Sequence, residues 1–432
     1  MDSLGIMRNL ASRMVARATL PSLLIALAAA FTFAPSTQAA EVDIHGFVLG
    51  TGSLRLSDTP LVTGEKYNWL LGEARLRGDV DINSDSGITA AVAKIEFIND
   101  SIERAADIEV RELYGEYLGD MIEIRAGRQM MTWGVADRLF INDVFPKDWT
   151  AFFAGQPLEY LKIGSDAVKL SVFGNRWDLE LVGIPVTQTD VTPTSSRFVV
   201  FDPGFAVREP ANRLSNGEAA ARLHTSFGSL DVAIYAFRGH WHQPDKGFDP
   251  ASSQVIFPRL ENYGLTLQDA ILGGVFSVEG GYYRSVDDSA GIDPFIANSQ
   301  FRYLVSYERE IVTDVTVAVQ AYGEIMDNHA AYLAAAQPAF AAGGGPQPLP
   351  EHRKIGTVNV RALWLNQTLT TSLFAMAVAS GGRMLIPDVH YAVTDEFSVN
   401  LGAHAFWGGP DSWMLGTMKH DDNVYANIKW SF

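Results

Sequence analysis

Val424-Tyr425-Ala426-Asn427-Ile428-Lys429-Trp430-Ser431-Phe432 closes the chain, and its alternation decides the fold. Val424, Ala426, Ile428, Trp430 and Phe432 are apolar, while Tyr425, Asn427, Lys429 and Ser431 lie between them. Successive side chains of a β-strand point to opposite faces, so one face here suits lipid and the other a wet interior. A half-buried strand at the end of a soluble sandwich alternates in the same way. The rest of the chain must separate the two readings.

The second apolar segment repeats the pattern with more force. Leu70, Gly72, Ala74, Leu76, Gly78, Val80 and Ile82 fall on one face, and Glu73, Arg75, Arg77, Asp79 and Asp81 on the other. Five charges on one face are costly unless that face meets water. Similar segments continue along the chain, separated by tight turns expected at 83–87, 119–120, 174–176, 228–229, 269–272, 310–314, 366–368 and 394–396. Longer polar or Gly/Pro-rich connections fall at 57–65, 100–106, 129–164, 187–216, 239–259, 287–297, 327–352 and 408–420, with a short link at 381–383. Short turns alternating with longer loops predict an all-β, transmembrane antiparallel up-and-down β-barrel of about eighteen strands. Both termini then lie on the turn side. Segments 107–118 and 369–380 do not declare an inward face, so sixteen strands is the alternative count. A propeller or large sandwich in the periplasm is the soluble alternative. The chain is too short for a plug domain inside about 22 strands.

The opposite end reads as a secretory signal peptide, 1–39, ahead of a barrel at 40–432. Arg8, Arg13 and Arg17 supply the positive region, 20–33 is almost wholly apolar, and Thr37-Gln38-Ala39 places small residues at the cleavage point. Cleavage one residue later fits nearly as well. The apolar run is short of the roughly 20 residues a spanning helix needs. With three Arg and one Asp removed, the net charge moves from −17 to about −19. So acidic a chain is a poor partner for nucleic acid, whose phosphates want clustered Lys and Arg. It favours cations near a pore if the acids sit there. The absence of cysteine excludes disulfides, thiol catalysis, lipoprotein acylation and covalent haem attachment. No run after the leader has about 18 consecutive apolar residues, so membrane passage requires a closed barrel.

Facing gives an inventory of the lumen. Basic candidates are Arg75, Arg77, Lys94, Arg125, Lys169, Arg222, Arg302, Arg361 and Lys429; acidic ones are Glu73, Glu96, Glu123, Asp178, Glu180, Glu218, Glu279, Glu308 and Glu324. Two arrangements suit these numbers: cross-strand ion pairs that stiffen the wall, or separate acidic and basic ladders that orient a solute across a transverse field. The third loop, 129–164, holds Met130, Met131, Trp133, Phe140, Phe145, Trp149, Phe152, Phe153 and Tyr160. Each such side chain left in water forgoes roughly 1.5–3 kcal/mol of burial. The loop is therefore expected to fold inward and narrow the channel, the alternative being a cap on the rim or a dip into the outer leaflet. Arg128, Trp133, Asp137, Arg138, Asp143 and Asp148 are the candidates for a constriction.

The run Arg125-Ala126-Gly127-Arg128-Gln129, followed by Trp133-Gly134 and by Asp143, Pro146 and Asp148, resembles an uncharacterised group of porin-like outer-membrane barrels. It is more loosely similar to the alginate-export barrels. The resemblance implies an eighteen-strand-class barrel with passive solute passage. Alginate itself fits poorly, since a polyanion conduit wants a strongly basic lumen. The terminal Phe432, with apolar residues at alternate positions before it, resembles the signal read by the barrel assembly machinery. That machinery, outer-membrane lipid, lipopolysaccharide and a small-molecule solute are the expected partners.

Other constellations have plainer explanations. His240-Trp241-His242 is short of the three or four ligands zinc requires. His390 and His404, near Asp388, Asn400, Ser380 and Ser398, lack a nucleophile motif. The stretch 330–350 reads as a flexible loop. Trp69, Trp177, Tyr282, Tyr303, Tyr307, Trp364, Trp407 and Trp430 suit aromatic girdles. No cofactor, metal or catalytic residue is expected. The leading function is passage of small solutes with mild cation preference through an outer-membrane porin of a Gram-negative bacterium. A conduit for hydrophobic molecules comes second, followed by an outer-membrane enzyme and a sheath around a partner cytochrome.

Overall fold

The computed structural model describes residues 40–61, 68–199, 204–409 and 413–432. The expected leader, 1–39, lies outside them. Eighteen strands form one sheet: β1 (Ala40–Arg55), β2 (Trp69–Ser84), β3 (Thr89–Asp100), β4 (Ala105–Leu118), β5 (Ile122–Gln129), β6 (Ser165–Phe173), β7 (Trp177–Ile184), β8 (Glu218–Phe227), β9 (Leu230–His240), β10 (Arg259–Ile271), β11 (Gly274–Ser285), β12 (Gln300–Val312), β13 (Val315–Met326), β14 (His352–Trp364), β15 (Leu369–Val378), β16 (Arg383–Ala392), β17 (Phe397–Trp407) and β18 (Asn423–Ser431). Each pairs antiparallel with its neighbours in sequence, and β18 returns to pair with β1 from Phe47↔Ser431 to Arg55↔Asn423. The terminal residue completes the seam, with Gly46 N–H donating to Phe432 O and Phe432 N–H to Gly46 O, both at 2.9 Å. Closure leaves no unpaired sheet edge, as lipid requires. The count is eighteen rather than sixteen.

The two ambiguous segments are both strands, and each has a physical reason for its ambiguity. In β4 a bulge at Arg111 shifts the register, so that Lys94 faces Glu112 but Ile95 faces Val110. The facing pattern changes parity in mid-strand. In β15 both faces are apolar because Phe374, Met376 and Val378 point inward and are buried, while Leu373 is exposed outward. A second bulge corrects one facing expectation. Ser53 pairs with Leu71 but Leu54 with Trp69. This turns Trp69 outward and leaves Leu70 fully buried rather than facing lipid.

Outward faces are apolar at mid-height, with Leu223, Ile234 and Leu265 exposed and in register across β8, β9 and β10. Aromatic residues ring both ends. Trp69, Tyr282 and Trp407 lie exposed near the loop rim, and Trp177, Trp364 and Trp430 near the turn rim. No helix among the described residues is long and apolar enough to cross a membrane, so any crossing uses the strands. The alanine-rich stretch expected to be flexible contains a helix instead, α2 (His329–Ala341), after the short α1 (Trp149–Phe153) in the third loop. Six of its first eight residues are alanine or leucine, and alanine has the strongest helix propensity. Three short strands, Ala206–Arg208, Phe248–Asp249 and Gln254–Ile256, form a small separate sheet within the loops.

Candidate functional site: the lumen and its inward loop

The third loop, 130–164, enters the barrel and touches the wall on several sides. Trp133 Nε1 donates to Glu180 Oε2 of β7 at 3.0 Å, and its ring packs 5.8 Å from that of Tyr235 on β9. On β11, Glu279 accepts from Val135 N at 3.2 Å and from Asn142 N at 2.8 Å. Asp137 accepts from Asn359 Nδ2 of β14 at 3.1 Å. Arg138 lies over the Phe374 ring of β15 at 4.3 Å. At the end of α1 and just after it, Phe153 O and Gly155 O accept from Asn423 and Asn427 of β18. Gln156 then donates to Glu73 of β2, and Tyr160 to Glu96 of β3 at 2.9 Å.

The wall is shaped to receive this loop. Gly264 and Gly281 face each other across β10 and β11. A methyl group on Gly264 would overlap the Asn142 carboxamide, and one on Gly281 would crowd Ile141. Their missing side chains make the seat for the loop segment 141–142. Higher on the wall, inward residues of β12 to β17 are apolar: Leu304, Tyr322, Ile355, Phe374, Met384, Ile386 and Phe406. They join Leu139, Ile141, Phe145, Phe152 and Phe153 of the loop in one buried cluster. The loop's aromatics are thus buried against the inner wall.

Other loops add to this closure on the long-loop side. In the loop 185–217, Phe198 is fully buried, and Arg197 donates to Leu70 O at 3.0 Å and pairs with Asp100 and Glu103. Val199 N donates to Asp421 Oδ1 of the last loop at 2.7 Å. Burial pushes the Asp421 carboxyl up to about 7. Asp190 accepts from Lys147 N and Trp149 Nε1, tying the same loop to the third, and burial raises its pKa too. His242 bonds Glu218 at 3.0 Å, while His240 Nδ1 lies 3.2 Å from Thr187 Oγ1. Among the described residues no group of three or more His, Cys, Asp or Glu is arranged to hold a metal. His404 is stacked on Phe406, with Nδ1 3.2 Å from Asn423 Oδ1, and is not aligned with a serine.

The six constriction candidates divide into three groups. Asp137 and Arg138 stand at the part of the loop that reaches β14 and β15, and Trp133 anchors the loop to β7. Arg138 adopts φ 59°, a strained value for a side-chain-bearing residue, and its Nε and Nη1 are buried without a hydrogen-bond acceptor. Arg128 stays at the root, paired in the wall with Asp166 at 2.9 Å. Asp143 is buried against Lys147 at 3.0 Å and Lys162 at 3.7 Å. Asp148 caps α1 by accepting from Ala151 N, and burial pushes its pKa up to about 7. These last three residues are bound within the loop and at its root.

Wall charges are interleaved rather than separated into ladders. Arg75 meets Glu73, Glu96 at 2.6 Å and Glu109 at 3.1 Å; Arg77 meets Asp79 at 2.8 Å and Glu159 at 3.1 Å. Lys94 pairs with Glu112, Arg125 with Glu116 at 2.7 Å, and Arg222 with Glu180 at 3.0 Å. Arg302 lies over Tyr283 at 3.9 Å, with Glu324 at 3.8 Å. Arg361 is exposed and makes no ion pair among the described residues. Most of these pairs occupy the β2–β8 arc. The facing arc, below its apolar zone, presents Thr266, Ser277, Gln320, Thr357, Asn400 and Asn427.

The glycine seat, the apolar inner wall and the anchoring role of Glu279 were not anticipated. Glu279 stood in the inventory only as a wall acid. The apolar run Phe198-Val199-Val200-Phe201 was the available sign in the sequence that a second loop turns inward.

No protein-family model matches the chain, and no curated protein matches it either. Solved structures do match in fold. OccK2 (OpdF) of Pseudomonas aeruginosa, in complex with glucuronate, superposes with TM-score 0.57 at 9% identity, covering 91% of this chain and 98% of its own. OccK11 (OpdR) of the same organism gives 0.53 at 8% identity, covering 91% and 96%, and its OpdL gives 0.52 at 10%, covering 91% and 99%. These neighbours are outer-membrane porins, and the fold shared with them is the porin-type barrel. The looser similarity to alginate-export barrels is unsupported by these structures.

Proposed function

We propose that the chain is an outer-membrane channel for passive or facilitated passage of small hydrophilic solutes, with a mild cation preference and no catalytic step. One observation carries the reading: a closed eighteen-strand barrel holds its longest aromatic loop inside, above a wall of paired charges and neutral polar groups. A barrel of this size has an interior wide enough for a channel. Fold similarity to outer-membrane porins supports the localisation, and the glucuronate bound to OccK2 is a solute of the size proposed. Acid excess, 50 Asp and Glu against 33 Lys and Arg, supports the cation preference. The leader at 1–39, delivery by the barrel assembly machinery, and contact with lipid and lipopolysaccharide belong to the same proposal.

Planar-bilayer recording tests it. The expected result is steady ohmic conductance with a cation-shifted reversal potential, and a severalfold rise in conductance on deleting 135–160. A folded, heat-modifiable barrel that conducts no ions defeats the proposal. The apolar inner wall of β12–β17 favours one second reading, a conduit for hydrophobic molecules. That reading predicts uptake of an apolar fluorophore by a non-conducting barrel.

A further inference from the structure

Opposite the arc of paired charges, the lumen holds two charges of opposite sign that stand near each other without meeting. Arg361 of β14, Ser372 of β15 and Asp388 of β16 form one register row on the inward face. Arg361 is exposed to the lumen and makes no hydrogen bond or ion pair among the described residues. Asp388 makes no ion pair among them either, although its carboxylate is held in place. Its Oδ2 accepts from Asn400 Nδ2 at 2.8 Å and from the Tyr425 hydroxyl at 3.0 Å, and neither bond uses Oδ1. Gly402, the next residue of the row, makes room for this, since a methyl group there would overlap the Tyr425 ring.

On the β2–β8 arc the same charges neutralise one another. Arg75, Arg77, Lys94, Arg125 and Arg222 each meet a carboxylate at 3.0 Å or less. Arg361 and Asp388 are kept apart by the strand between them. Neighbouring strands lie about 4.8 Å apart, so the two backbones are separated by roughly 10 Å, with only a serine between. Their height matters as much as their spacing. The next row toward the loops pairs Asn359 with Phe374, and the tip of the third loop grips both. Asn359 donates to Asp137, and Arg138 lies over the Phe374 ring. A solute that clears the tip on this side therefore meets Arg361 and Asp388 next. Thr370, His390 and Asn400 form the row after that, toward the turns.

An anion on Arg361 is opposed by Asp388, and a cation on Asp388 is opposed by Arg361. A molecule that carries both charges a few ångströms apart satisfies both, so the row discriminates by repulsion as well as attraction. The guanidinium fork matches a carboxylate bidentately. The Asp388 Oδ1 atom is an acceptor for an ammonium group. We propose that Arg361 and Asp388 form a subsite for small zwitterions of the α-amino acid type, with the carboxylate on Arg361 and the ammonium on Asp388. The subsite rests on the channel reading above, and its test separates the two.

The full barrel is reconstituted into liposomes, and uptake of labelled alanine is followed at micromolar concentration. Two competitors probe the two ends: lactate has a hydroxyl in place of the ammonium, and alaninol has one in place of the carboxylate. Wild-type uptake is expected to saturate and to be competed by unlabelled alanine several times better than by either analogue. Arg361→Gln should weaken alanine about fivefold, the equivalent of ~1 kcal/mol for a solvent-accessible charge contact, and let alaninol compete as well as alanine. Asp388→Asn should do the same for lactate, while Arg361→Lys, which keeps the charge, should retain most of the preference. Arg284→Gln, on the outward face, should change nothing. Equal competition by lactate or by alaninol in the wild type overturns the zwitterion assignment, as does an unchanged R361Q variant. Potassium chloride conductance of the same preparations reports on the channel itself. Failure of the channel reading appears as no conductance, failure of the subsite as conductance with unsaturable alanine uptake.

Discussion

Asp421 shows how one residue joins loops far apart in sequence. Its side chain is fully buried, 4.0 Å from Arg55, and accepts the Val199 N–H at 2.7 Å. Burial penalises the carboxylate and pushes its pKa up to about 7, against 3.8 ordinarily. The folded form therefore holds a proton that the opened form releases between pH 4 and 7. The associated stability is fully present below about pH 4 and is lost as pH rises through 7. Docking of the loop 185–217 onto the last loop is expected to weaken over that window, by an amount on the order of a few kcal/mol. Hydrogen exchange at the Val199 amide, corrected for its intrinsic pH dependence, should show greater protection at pH 5 than at pH 8. Asp421→Asn should remove most of the difference; an unchanged difference would place the titration elsewhere.

The third loop, at the scale of an element, is held by shape as much as by bonds. Its 141–142 segment rests on Gly264 and Gly281, where a side chain would collide with Asn142 or Ile141. Gly264→Val adds bulk that only loop displacement can relieve, and overpacking of this kind costs about 1–3 kcal/mol. The β10–β11 ladder does not depend on that side chain, so the barrel should fold while the loop detaches. The expected outcome is higher single-channel conductance and new protease cleavage within 135–160, with heat-modifiable mobility retained. A variant with wild-type conductance and cleavage would show that the glycine seat does not position the loop. Residues 107–118 and 369–380 belong to this scale too. Local pattern could not orient them because a bulge in one and an inward loop over the other alter what each face meets.

At the scale of the whole molecule, closure of β1 on β18 turns a sheet into a barrel. Phe432 contributes two main-chain hydrogen bonds to Gly46, and its ring is 55% exposed on the outward side. Removing this residue deletes both bonds, each worth about 1 kcal/mol net, at the seam where pairing has no alternative partner. Deletion of Phe432 is expected to lower the fraction of chain that reaches the heat-modifiable state and to leave the conductance of the folded remainder unchanged. Normal folding yield would show that the seam closes without it. Closure also creates the enclosed space in which residues from β2, β7, β11, β14 and β18 meet a single loop.

Strand number, turn positions and the outward face were legible in the sequence because period-two alternation is local. All eight expected turns overlap the observed connections; those at 174–176 and 228–229 coincide with them, and the turn expected at 269–272 is centred two residues before the observed 272–273. The closing strand from Val424 to Phe432 shows the alternation most clearly, and its recurrence along the chain separated a barrel from a soluble sandwich. The inward face was only half legible. A charge in sequence does not say whether it pairs with a neighbouring strand, as Arg75 does, or makes no ion pair among the described residues, as for Arg361. Nor does an apolar residue say whether lipid or a folded-in loop covers it, as Leu373 and Phe374 illustrate from adjacent positions. Glu96 and Glu109, which pair with Arg75, lie 21 and 34 residues away on the next strands, whereas the loop that covers Phe374 lies more than two hundred residues away in sequence, and only the closed barrel brings those segments together.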